Sequence, residues 1–196
     1  MKTPLPDIAV DPAIRDMIRR ALEEDIASGD TTTLALVPGE AVVDAHILAK
    51  ESCVVSGCGI ASAVFKSLDA NVDVSEAITD GGRAEPGETI LTIHGRAQTV
   101  LTGERTALNF MQRMTGIASM TATFVERVSD YGCSILDTRK TTPGLRSIEE
   151  YAVLCGGGTN HRIGLFDKVM IKDNHRRLWR DGGDGDLAEA VRAARR

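Results

Sequence analysis

The 196 residues suffice for one large or two small domains, and a composition of 42% hydrophobic and 26% charged residues is that of an ordinary globular chain. A net charge of −5 argues against general nucleic-acid binding, and no apolar run reaches membrane-spanning length. Aromatics make up only 4%, so the core must rest on aliphatic side chains, Ala and Met.

Cys53, Cys58, Cys133 and Cys155 show no CxxC spacing. They read as free thiols in a reducing cytoplasm, and the N-terminus lacks the apolar core of a signal peptide. Asp11-Pro12 predicts a helix start, with a capping carboxylate followed by Pro at the first helical position. Ile14, Ile18, Leu22 and Ile26 recur at helical spacing, and Ser28-Gly29 ends the run. Gly29-Asp30-Thr31-Thr32-Thr33 then reads as a polar connecting turn.

Strands are predicted over 41–50, 72–78 and 89–93, with turns at Gly81-Gly82 and Pro86-Gly87. A short helix is predicted within 57–68, starting near Ile60. Helices mixed with several strands suggest an α+β layer domain. Residues 85–93 have the look of a lipoyl- or biotinyl-carrier strand pair. Such a carrier needs a lysine at a hairpin tip, and none lies between Ser67 and Ser134. A structural hairpin is expected instead.

From 101 to 127 the pattern is helical, with Leu108, Met111, Thr115 and Ala118 on one face and Gly116 as a candidate break into two helices. A domain boundary is expected here, giving 1–113 and 114–196. Arg105, taken alone, reads as an exposed helical charge. Two strand–helix units follow. Cys133-Ser134-Ile135-Leu136 reads as a buried strand leading to a helix over 147–154. Val169-Met170-Ile171 reads as a second strand, leading to a helix from about Asp186. Alternating strand and helix argue for a parallel sheet or barrel. A period of two would set Lys168, Met170 and Lys172 on one face.

The first of these strands runs into Asp137-Thr138-Arg139-Lys140-Thr141-Thr142-Pro143-Gly144-Leu145-Arg146. Cations after a strand sit where α/β sheets and barrels bind ligands, although a solvated basic loop has the same composition. Between Asp137 and Arg180 nine Lys/Arg face five Asp/Glu, a balance of +4; the rest of the chain carries 14 against 23, or −9. A basic island in an acidic chain suits a small anion better than a polymer. Arg105, Arg139 with Lys140, the Gly156-Gly157-Gly158-Thr159-Asn160-His161-Arg162 stretch, and Lys168 with Lys172 are the candidate cationic constellation. Arg would bind carboxylate or phosphate through paired hydrogen bonds, with Lys acting as a point charge.

The 137–146 motif, Gly156-Gly157-Gly158-Thr159-Asn160-His161-Arg162-Ile163-Gly164-Leu165, and Lys172-Asp173-Asn174-His175 together resemble the nicotinate-nucleotide pyrophosphorylase, or quinolinate phosphoribosyltransferase, family. Glu24-Asp25, Gly29-Asp30-Thr31-Thr32 and Glu104-Arg105-Thr106-Ala107-Leu108-Asn109 fit its N-terminal half. The resemblance implies an α/β fold, with an N-terminal α/β sandwich followed by an open α/β barrel. It implies that quinolinate and phosphoribosyl pyrophosphate give nicotinate mononucleotide, pyrophosphate and CO2, with magnesium. Arg105, Arg139, His161 and Arg162 match positions that hold the two quinolinate carboxylates. Lys140 and Lys172 match positions lining the site between quinolinate and the phosphoribosyl donor, and are the catalytic candidates. Thr138 matches a substrate-binding position. The arginine matching Arg105 is lent by the neighbouring subunit in the family, so a homodimer is implied.

The chain departs from the family in two ways. A full barrel needs about 250 residues, or ~200 at the lower end, so the 84 residues from Arg113 onward make an incomplete one. Acidic ligands for Mg2+ are then expected beyond Arg196, and no metal ligand is assigned within the chain. Residues 176–185 are also unlike the family. Two other readings stand beside the enzyme: a non-catalytic truncated paralogue that binds a dicarboxylate, and the molybdenum-transport-associated relative of the same fold.

Overall fold

A computed structural model describes residues 5–179 and 187–195. The chain divides into two compact units, 1–161 and 162–196.

In the first unit, α1 (Pro12–Ile26) begins where Asp11 accepts a hydrogen bond from the Ala13 N–H, 2.8 Å away. Ile14, Ile18 and Leu22 are buried as the spacing predicts. The expected polar turn after Gly29 is instead the start of a second helix, α2 (Thr31–Leu36). Asp30 is its N-cap, accepting from Thr33 N at 3.0 Å. The same carboxylate accepts from Thr102 Oγ1 at 3.3 Å, tying α2 to a later helix. Local capping chemistry thus turns a polar run into helix.

Strand β1 (Val42–Leu48) pairs antiparallel with β5 (Thr89–Arg96), which also pairs with β3 (Asp73–Glu76). The sheet order is β1-β5-β3. Two short strands, β2 (Cys53–Val54) and β4 (Arg83–Ala84), form a separate antiparallel pair. The hairpin expected over 85–93 is therefore absent: a turn at 85–88 joins strands of two different sheets. Helix α3 (Cys58–Leu68) starts two residues before the expected Ile60, after Gly57 at φ +104°.

Helix α4 (Ala97–Val128) is a single 32-residue helix, with no break at Gly116. A Cβ at Gly116 would meet nothing within 4 Å, so that glycine is an exposed, tolerated position rather than a stop. Val100, Ala107, Met111, Met114 and Ala118 of α4 join Val64, Phe65, Leu91, Ile93 and Ile148 in one core. Helix α5 (Arg146–Cys155) packs against α4, burying Ile148, Tyr151 and Ala152. Among the described residues no helix is long and apolar enough to cross a membrane.

The predicted parallel strands are reduced. Cys133 and Ser134 are exposed and Leu136 is 50% exposed, so this segment is not a buried strand. It makes one parallel bridge, Leu136 to Thr159. In the second unit, 168–172 forms no strand, and Val169 is 70% exposed. A parallel strand is stabilised by neighbours on both sides and helices on both faces, and a single bridge supplies neither. The second unit holds α6 (Asp173–Leu178), a short helix where the sequence suggested a loop, and α7 (Leu187–Ala194). The helix start expected near Asp186 falls outside the described residues.

The approach of α5 to α4 depends on Gly156. A Cβ there would lie 2.4 Å from the Ala118 carbonyl oxygen and 2.6 Å from Thr121 Cβ, contacts that only a backbone shift could relieve. Gly156→Ala is therefore expected to destabilise the chain by about 1–3 kcal/mol, the usual cost of overpacking. A lowered urea midpoint at unchanged slope would be the sign of it.

Candidate anion-binding site

The cationic loop leaves the 133–136 segment and is held beside the glycine-rich segment by backbone pairing. Thr159 N donates to Ile135 O at 2.8 Å, and Asp137 N donates to Thr159 O at 3.2 Å. Asp137 extends this contact with its side chain. Its Oδ1 accepts from His161 N at 2.8 Å. Asn160, with its amide nitrogen turned toward them, donates to Asp137 Oδ2 at 2.8 Å and to Glu150 O at 3.1 Å. The loops carrying Thr138-Arg139-Lys140 and His161 therefore adjoin. The glycine run makes this possible: Gly157, at φ +84°, and Gly158 donate back to Leu154 and Val153 carbonyls and close the C-terminus of α5.

Within the loop, Lys140 N donates to Thr138 Oγ1 at 3.2 Å. Arg139 is half-buried, and its Nε is buried without an acceptor among the described residues. Lys140 is exposed. Neither side chain forms an ion pair among the described residues. Pro143-Gly144 makes the expected turn, with Leu145 N donating to Thr142 O at 3.0 Å.

The far end of the loop is fixed by a pair that sequence spacing does not reveal. Glu149 of α5 is 8% exposed. Its Oε1 accepts from Arg113 Nε of α4 at 2.9 Å, its Oε2 accepts from Thr142 N at 3.1 Å, and the Arg113 Nη2 group closes onto both Glu149 and Thr142 Oγ1. Burial alone would raise the Glu149 pKa. The hydrogen bonds from Arg113 and Thr142 outweigh it and hold the carboxyl below its usual range. Hydrogen bonds to charged groups contribute roughly 1.5–3 kcal/mol each; the value here is smaller, because the Arg113 side chain is 42% exposed.

Arg105 is exposed on α4, eight residues or about 12 Å along the helix from Arg113. In the second unit, Arg162 is 7% exposed and donates to Lys168 O and to Met170 Sδ, each at 3.3 Å. It lines a cavity of about 580 Å³ together with Lys168, Lys172, His175, Arg176 and Trp179. Lys172 N donates to His175 Nδ1 at 2.9 Å. The candidate residues thus fall in two groups, Thr138, Arg139, Lys140 and His161 in the first unit and Arg162, Lys168 and Lys172 in the second. Arg105 stands apart on its helix. The expectation that Lys168 and Lys172 share the face of a strand fails, because no strand forms; a common cavity brings them together instead.

Cys58 and Cys155 are buried thiols. Burial pushes the Cys58 thiol strongly upward and Cys155 up to about 11, so both are protonated near neutrality. All four cysteines are free. Among the described residues no group of three or more His, Cys, Asp or Glu is placed to hold a metal ion.

A layered α/β unit followed by an arginine- and lysine-rich segment defines a class: α/β proteins with clustered loop-borne cations. Comparison with known proteins narrows it. The family model of the quinolinate phosphoribosyl transferase N-terminal domain matches residues 30–115, and that of the C-terminal domain matches 117–196. The chain is 43% identical over 163 residues to quinolinate phosphoribosyltransferase [decarboxylating] 1b of Nicotiana tabacum, covering 83% of this chain and 46% of that protein. It is 42% identical over 182 residues to a probable nicotinate-nucleotide pyrophosphorylase [carboxylating] of Bacillus subtilis, covering 93% and 61%. The crystal structure of NadC from Streptococcus pyogenes matches with a TM-score of 0.88 at 40% identity, over 98% of this chain and 65% of that one. The nicotinate-nucleotide pyrophosphorylase from Francisella tularensis matches with a TM-score of 0.87 at 37% identity, over the same shares.

The chain belongs to the quinolinate phosphoribosyltransferase family. Its N-terminal α/β layers match that family's solved structures, its 117–196 segment matches the family's C-terminal domain with one parallel bridge among the described residues, and the chain spans about half the length of the plant relatives it matches.

The lowered pKa of Glu149 sets a pH dependence. A carboxylate with a folded-state pKa below its unfolded value stabilises the fold above the ordinary carboxylate range; that contribution is lost as pH falls through the lowered value. Glu149→Gln should remove this component, so the thermal midpoint of the variant should fall less than that of the parent on acidification. Melting curves across the acid range would test this.

Proposed function

We propose that this chain carries the quinolinate-binding portion of a quinolinate phosphoribosyltransferase, acting with phosphoribosyl pyrophosphate to form nicotinate mononucleotide, pyrophosphate and CO2. The carrying observation is Arg139. Its half-buried guanidinium has a buried Nε without an acceptor among the described residues, and neither it nor Lys140 forms an ion pair among them. A buried donor of this kind is unfavourable until an acceptor reaches it, and a ligand carboxylate is the best-matched acceptor for an arginine fork.

Arg139, His161, Arg162 and, from a second subunit, Arg105 are assigned to the two carboxylates of quinolinate. Thr138 helps seat the substrate. Lys140 and Lys172 are assigned to the junction with the phosphoribosyl donor, where they stabilise negative charge as pyrophosphate leaves. The pyridine nitrogen attacks the ribose carbon as pyrophosphate leaves; the positive ring nitrogen then stabilises the electron pair left on the adjacent ring carbon as CO2 departs, and that carbon takes up a proton from solvent. The chain needs to orient and neutralise the reactants rather than supply a nucleophile, and holding both in register can lower the barrier by several kcal/mol.

A homodimer belongs to the same reading. It is supported by the exposure of Arg105 on α4, and by Met120 and Phe124 of that helix at 62% and 53% exposure. Magnesium is proposed for the reaction with ligands outside these residues. A cytoplasmic setting is proposed from the four free cysteines.

Arg139→Ala and Arg162→Ala are each expected to weaken quinolinate binding by roughly 100-fold, on the scale of losing a charge-assisted bidentate contact. Calorimetric titration of the full chain measures this, and unchanged affinity would remove that residue from the site. Product formation from both substrates separates an enzyme from a protein that only binds the dicarboxylate.

A further inference from the structure

We propose that two carboxylates, Asp137 and Glu149, are positioning residues that clamp the two ends of the 138–141 loop and so fix Arg139 for an incoming dicarboxylate. This deepens the reading of the site given above and rests on it. Both acids lie beside the densest run of cations in the first unit, and Coulomb attraction alone would draw them onto Arg139 and Lys140. They do not go there. Asp137 instead accepts from the His161 N–H at 2.8 Å and the Asn160 amide at 2.8 Å. Glu149 instead accepts from Arg113 Nε at 2.9 Å and the Thr142 N–H at 3.1 Å.

The consequence is a division of labour between charges. Each carboxylate fixes backbone at one end of the loop, so the chain between them has little freedom to carry Arg139 away. Because the acids are engaged elsewhere, no internal carboxylate has to be displaced when a ligand carboxylate arrives. Arg113 is essential to this arrangement. Without it, Glu149 would be a buried acid held only by Thr142 N, free to turn toward the cationic loop and quench it. Glu149 is one turn inside α5, and Arg113 is in the middle of α4, so both anchors are mounted on helices of the core.

The test compares Glu149→Gln, Asp137→Asn, Arg113→Ala and Arg113→Lys in the full chain. Each is titrated with quinolinate by calorimetry, at a temperature where circular dichroism shows parent and variant equally folded. Glu149→Gln and Arg113→Ala should each lose roughly tenfold in affinity, the scale expected when a support is removed but the contacting groups remain. Arg113→Lys keeps a cation opposite Glu149 but not the fork of Nε and Nη2, so it should recover part of the loss and bind more tightly than Arg113→Ala. Unchanged affinity in Glu149→Gln, or equal loss in Arg113→Lys and Arg113→Ala, overturns the proposal. If Glu149→Gln does not fold, Asp137→Asn and the two Arg113 variants decide by the same criteria. A parent chain that gives no heat with quinolinate overturns the functional reading and this inference together; a parent that binds with indifferent variants overturns the inference alone.

Discussion

The contact between α4 and α5 underlies the rest of the candidate site in the first unit. It is a backbone-to-backbone approach that leaves no room for a Cβ at Gly156. Through it, α5 delivers Glu149 to Arg113 and the glycine run to the bridge at Thr159. The 137–142 loop has no regular structure of its own, and its position is inherited from these two helices. Loops that carry function are commonly placed this way, by rigid elements beneath them. The 32-residue span of α4 extends the effect. One helix packs on the sheet, receives Asp30 through Thr102, carries Arg105 and braces the loop through Arg113.

The fold was legible in the sequence wherever the signal was local. Asp11-Pro12, the Ile14-Ile18-Leu22 spacing and the strands around 42–48 and 89–96 appear where periodicity and capping place them. Misreadings arose where local chemistry and pattern compete. Asp30 with three threonines looks like a turn by composition, but its carboxylate reaches the N–H three residues on and starts a helix. Gly116 looks like a stop, but inside a helix with eleven buried residues tertiary packing outweighs its weak propensity. The parallel strands were over-read because an apolar triplet has the same pattern whether or not neighbouring strands are there to pair with it.

The candidate site divides along the same line. Arg139, Lys140, His161 and Arg162 stood out because their motifs are contiguous. Arg113 and Glu149 did not, because 36 residues separate them and neither belongs to a repeating pattern. Ile148-Glu149-Glu150-Tyr151 lies within the helix expected over 147–154, where adjacent acids are ordinarily exposed. Both acids are buried instead. The one available signal was the improbability of two adjacent acids on a helix whose other residues need burial, since ionised carboxylates enter a core only with partners.

The disposition of these acids bears on what the cations are for. A basic loop meant only for solvent needs no buried supports and would pair freely with nearby carboxylates. Here the nearby carboxylates are tied to Arg113, to backbone N–H groups and to Asn160, while Arg139 keeps a buried N–H without an acceptor among the described residues. The buried Arg139 N–H costs free energy while it has no acceptor, and on the proposed reading an arriving anion would relieve that cost without breaking an internal ion pair. That relief is the form binding energy takes in a preorganised site. On the proposed reading, a loop tied at both ends would favour a compact ligand with closely spaced negative charges.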